Sequence, residues 1–118
     1  MSEEIVDLPD VLERVQNDKE LLLELFDIFE EDFPKKRQAL SAAIAAKDIG
    51  KIKEIAHSIK GASGNLSIKP LQAICLQLEH LAKSDTTDGM ENLLTSIDQK
   101  YAAFKIFAAN SKKEWGGG

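Results

Sequence analysis

Apolar residues recur every three to four positions along nearly the whole chain, and period-two alternation is almost absent. A chain so patterned hides its apolar surface by packing helices side by side. Asp7-Leu8-Pro9-Asp10 opens a short helix through Val11, Leu12 and Val15, with proline in the first turn where no donor is lost. Asn17 and Glu20 then have the spacing of a capping box, Asn standing in for the usual Ser or Thr. Leu22, Leu25, Phe26, Phe29 and Phe33 form one stripe, and Leu40, Ala43 and Ile44 carry its period past Pro34. The pattern predicts one long helix, about 18–46, bent at Pro34 rather than ended there.

Asp48 caps the next expected helix, which ends near Gly64-Asn65, two residues that accept the left-handed conformation of a helix terminus. After a very short link, Pro70 sits in a first turn, and Leu71, Ile74, Cys75, Leu78, Leu81 and Ala82 make another stripe. Ser84 to Gly89 is turn-like. A last helix, about 88–112, buries Met90, Leu93, Leu94, Ile97, Tyr101, Phe104 and Phe107 or Ala108. Four long amphipathic helices with short links give an all-α, antiparallel up-and-down four-helix bundle. The short extra N-terminal helix caps one end.

The chain of 118 residues is long enough for one core and too short for two ordinary domains. We expect a single domain over 1–113, with 114–118, ending Trp115-Gly116-Gly117-Gly118, as a linker stub or appended tail. No apolar run approaches the roughly 20 residues of a spanning helix, and Met1-Ser2-Glu3-Glu4 lacks a signal-peptide layout. The lone Cys75 closes no intrachain disulfide, which fits a reducing compartment and a cytoplasmic location. A net charge of −5 without a basic run argues against nucleic-acid binding.

The positive strip beside His57 is therefore a local exception. With His57 at zero on a helical wheel, Gly61 falls at roughly +40°, Gly64 at roughly −20°, Lys53 at roughly −40° and Lys60 at roughly −60°. Ile49, Ile52, Ile55, Ala56, Ile59 and Leu66 lie on the opposite arc. The imidazole is thus expected to face solvent from a packed helix, with Gly61 and Gly64 leaving clearance and two ammonium groups nearby. A lone histidine or lysine on a helix is usually a plain surface residue, but a helical glycine costs about 1 kcal/mol against alanine. Two of them on the histidine's face suggest room kept for an incoming protein. The ammonium of Lys60 would offset negative charge on the imidazole. His80 reads as surface, Cys75 as a small buried hydrophobe, and Phe26, Phe29 and Phe33 as core.

His57-x-x-Lys60-Gly61 and its flanks resemble the histidine phosphotransfer (HPt) domains of bacterial two-component phosphorelays. Leu8-Pro9-x-x-Leu12, Asn17-Asp18-x-x-Leu21-Leu22 and Phe29-x-x-Asp32-x-Pro34 extend the resemblance over roughly residues 5–110. The resemblance implies that His57 takes a phosphoryl group from a receiver-domain aspartate and passes it to another receiver. Lys60 would stabilise it, and Lys53, Gly61, Gly64 and Glu79 would lie toward the partner. The implied partners are receiver domains and a hybrid sensor histidine kinase. The chain itself is expected to be a monomeric carrier without cofactor, the partner supplying the catalytic metal.

Two positions depart from the family. Ser67 stands where it usually has glycine ten residues after the histidine, and serine is expected to cap the following helix. Glu79 stands where glutamine is common, either accepting from the ring's second nitrogen or remaining solvated. Rival readings are a metal-holding bundle, for which Glu54-x-x-His57 occurs only once and faces out, and a plain interaction module. The substrate domain of a chemotaxis-type kinase, within the same family, is a further alternative.

Overall fold

The computed structural model describes residues 4–116, all of whose regular structure is helical. The helices are α1 (Leu8–Arg14), α2 (Lys19–Ala45), α3 (Ile49–Asn65), α4 (Lys69–Lys83) and α5 (Met90–Trp115). In the bundle α2 packs on α3, α3 on α4, α4 on α5, and α5 back on α2. Consecutive long helices joined by such short links run antiparallel. The expected four-helix bundle with a short leading helix is the observed fold.

Aspartates start the first three helices. The side chains of Asp7, Asp18 and Asp48 accept from the backbone N–H of Asp10, Leu21 and Lys51 at 3.2, 3.0 and 3.1 Å. The α2 cap is thus Asp18 rather than Asn17, which adopts φ +63° in the preceding turn. The final helix begins after Gly89, at φ +84°, and continues to Trp115, past the boundary expected at 113. It continues because Trp115 packs half-buried against the core, with the Lys19 ammonium 5.4 Å from its ring centroid.

Leu22, Phe26, Phe29, Phe33, Ile52, Ile59, Leu71, Leu78, Ile97 and Phe104 are all buried, so the core follows the stripes. Phe104 of α5 meets Phe26 and Phe29 of α2 edge-on at 5.3 and 5.1 Å. Cys75 is fully buried, and that burial pushes its thiol up to about 12.

Helix α2 passes through Pro34 without a break. Proline has no N–H, so the carbonyl of Glu30, one turn earlier, lacks its usual helical donor. The Tyr101 hydroxyl of α5 donates to that carbonyl at 3.2 Å, while its ring stacks on Phe33 at 4.2 Å. A partner helix thus fills the gap that proline leaves.

At the other end, α1 is fastened to the α3–α4 turn. The Asp7 N–H donates to the Ser67 carbonyl at 2.9 Å, the Ser67 hydroxyl to Asp10 at 2.6 Å, and the Lys69 ammonium to Asp7 at 2.8 Å. The Lys69 and Ser67 hydrogen bonds, respectively, hold the Asp7 and Asp10 carboxyls below their ordinary values.

Replacing Tyr101 with Phe should lower stability by about 1 kcal/mol, the net value of one hydrogen bond. In a Pro34→Ala background, where the backbone N–H is restored, the same change should cost less. Urea unfolding of the four chains of this double-mutant cycle measures both steps.

Candidate functional site

Helix α3 buries Ile52, Ala56, Ile59 and Ser63 along one line, with Ile49 and Ile55 half-buried beside it. That stripe sets the helix's rotation and turns His57 outward, its side chain 73% exposed. The buried Ser63 hydroxyl donates to the Ile59 carbonyl at 2.7 Å, so the stripe carries no unpaired hydroxyl.

Glu79 reaches the site from α4. Its carboxylate, only 16% exposed, sets Oε2 3.7 Å from His57 Nδ1 and Oε1 2.6 Å from Lys60 Nζ. The first distance suits a charge contact and is too long for a hydrogen bond. The second is a close ion pair with an off-axis approach, so Oε1 has no aligned donor. Burial works most strongly against ionisation of Glu79, but Lys60 and His57 together outweigh it and hold the carboxyl below its ordinary value.

Lys60 is therefore not free beside the imidazole, as its spacing suggested. Its ammonium rests on Glu79, and its side chain is only 25% exposed. Lys53 is exposed on the turn before His57 and has no ion-pair partner among the described residues.

The two glycines have different surroundings. A Cβ on Gly61 would meet nothing within 4 Å, as expected for a position left open. A Cβ on Gly64 would lie 2.9 Å from the Gln72 amide nitrogen of α4. Gly64 thus serves close packing of α3 on α4 as well as open space, which the wheel angle alone could not show. Arg14, Lys60, Asn65 and Gln72 border the shallow hollow around these glycines. Arg14 and Gln72 are distant in sequence from His57, and nothing in the local pattern announces them.

The α3–α4 turn also differs from expectation. The left-handed residue is neither Gly64 nor Asn65 but Ser67, at φ +56°. Ser67 does not cap α4; Ile68 occupies that place with no side-chain hydrogen bond. A positive φ explains why glycine suits this position, and the Ser67–Asp10 hydrogen bond supports serine there. His80 is exposed, as anticipated.

Beside the His57 helix, a shallow groove between α2 and α3 is lined by Leu25, Ile28, Phe29, Phe33, Ile59 and Ala62. Ile28 is 52% exposed at its edge, off the buried stripe of α2. Sequence reasoning passed over it; an isoleucine on the polar face of an amphipathic helix is the signal available. Among the described residues, no group of three or more His, Cys, Asp or Glu is placed to hold a metal ion, and no helix is long and apolar enough to cross a membrane.

Residues 24–105 match the family described as Hpt domain. The phosphotransferase RcsD of Escherichia coli (strain K12) is 27% identical over 73 residues, which cover 62% of this chain and 8% of that protein. The chain thus corresponds to a small part of that relative. The crystal structure of histidine-containing phosphotransfer protein B (HptB) from Pseudomonas aeruginosa PAO1 superposes with a TM-score of 0.87. The two are 23% identical, and the match covers 97% of this chain and 99% of that one. At that identity the superposition speaks for the fold.

Because no atom crowds a Cβ at position 61, Gly61→Ala should stabilise the protein by about 1 kcal/mol through helix propensity. Its melting temperature should rise by about 4 °C. Gly64→Ala should gain less, since the Gln72 amide must move. Thermal unfolding of both variants by circular dichroism tests the difference.

Proposed function

The chain belongs to the Hpt domain family, the histidine phosphotransfer intermediates of phosphorelays, and on that premise we propose that His57 is its phosphoryl-carrying residue. The observation that carries this reading is the exposed imidazole on a helix whose other side is locked into the core. Nδ1 of the ring lies 3.7 Å from the Glu79 carboxylate, and we assign the phosphoryl bond to the other nitrogen, Nε2. Neutral imidazole is a competent nucleophile near pH 7.

In the proposed step, the Nε2 lone pair forms a bond to phosphorus of a receiver's aspartyl phosphate. The acyl O–P bond breaks and its electron pair returns to the receiver's carboxylate. The ring proton stays on Nδ1, beside the Glu79 carboxylate. Onward transfer is the reverse step with a second receiver. Such transfer depends mainly on in-line positioning and charge neutralisation, and we assign the metal ion that supplies much of the latter to the receiver.

Open space over Gly61 lets the receiver's backbone come close to His57. The apolar groove beside Ile28 gives the docked receiver a surface to cover, and Lys53 adds positive charge. We place the protein in the cytoplasm as a monomer, serving receivers and a hybrid sensor histidine kinase.

Incubation with a receiver domain carrying labelled phosphate tests the reading. Label should move to the wild-type chain in an acid-labile, alkali-stable form and be absent from His57→Gln. Gly61→Ala, although more stable, should accept label at least several-fold more slowly. Undiminished labelling of His57→Gln would overturn the assignment.

A further inference from the structure

Lys60 and Glu79 form a nearly shielded ion pair that meets the ring on one side. The carboxylate contacts the ammonium at 2.6 Å and the imidazole at 3.7 Å. The Lys60 charge is therefore already compensated before any phosphoryl group arrives. A glutamine at position 79 would be isosteric, but it would leave the ammonium uncompensated.

We propose that Glu79 is a positioning residue that withholds Lys60 from the phosphoryl group, so that the carrier holds its cargo weakly and gives it up readily. This rests on His57 being the phosphorylated residue. Lys60 lies one helical turn from His57, close enough for its ammonium to turn toward the phosphoryl oxygens. To do so it must leave a carboxylate that is itself poorly exposed and has no aligned donor to replace it. Abandoning a half-buried charge is costly, so the ammonium stays shared. The phosphoryl group consequently gains less stabilisation than the lysine alone would give it.

Glu79 takes no part in bond making. Its effect is on the lifetime of the N–P bond, which distinguishes it from a residue that merely supports the fold. The two negative groups compete for one cation, and the outcome depends on charge rather than on shape.

Phosphoramidate tests this without a receiver: its phosphorus passes to the imidazole nitrogen as its own P–N bond breaks and ammonia leaves. Phosphorus NMR then follows decay of the phosphohistidine signal once the reagent is removed. The Glu79→Gln chain should hold the signal about three-fold longer than wild type, and Lys60→Ala should lose it faster. In the Lys60→Ala background, Glu79→Gln should change the lifetime by less than about 1.5-fold. An unchanged lifetime in Glu79→Gln overturns the proposal. So does a full three-fold effect without Lys60, which would mean that the carboxylate acts on the phosphoryl group directly. Circular dichroism of each variant confirms folding, and Glu79→Asp, which keeps the charge, should stay near wild type. A signal that survives in His57→Gln would instead refute the assignment of His57, independently of what Glu79 does.

Discussion

Burial of the α3 stripe is the constraint from which the site follows. Ile52, Ala56 and Ile59 have no exposed surface, and fully burying each of the two isoleucines is worth about 1.5–3 kcal/mol. Rotating α3 enough to hide His57 would bring that stripe into water. The histidine's exposure is therefore maintained by the core, at no cost to the ring itself. Packing on one side of a helix decides what chemistry is available on the other.

The second wall of the site comes from a different source. Glu79 stands beside His57 only because α3 and α4 are joined by a turn of three residues, Leu66–Ile68, which sets their register. Ser67 holds that turn in a left-handed conformation, and Asp10 of α1 holds Ser67. The short first helix thus contributes to the site indirectly, by stabilising the link that aligns its two walls.

The contrast explains what could be read from the sequence. Helix number, the one-piece α2 and the outward direction of His57 depend on periodicity within single segments, and each was legible. The Lys60–Glu79 pair, the Gln72 amide over Gly64 and the Tyr101 bond to Glu30 depend on register between helices. A wheel drawn for one helix carries no information about that register. The capping role expected of Ser67 failed for a related reason: its backbone conformation is dictated by a turn closed from α1, far away in the chain. Asn17 missed by one residue because the preceding turn holds it at φ +63°, which leaves Asp18 to accept from the backbone N–H of Leu21.

Cys75 sits on the buried side of α4, in the turn before Glu79, with its thiol pushed up to about 12. Thiolate is the form that peroxides and electrophiles attack, and at neutral pH almost none of it exists here. Oxidants that silence exposed-thiol proteins would pass this sulfur by. A cysteine introduced on the outer face would accept a dye or spin label alone, with the native one left in place.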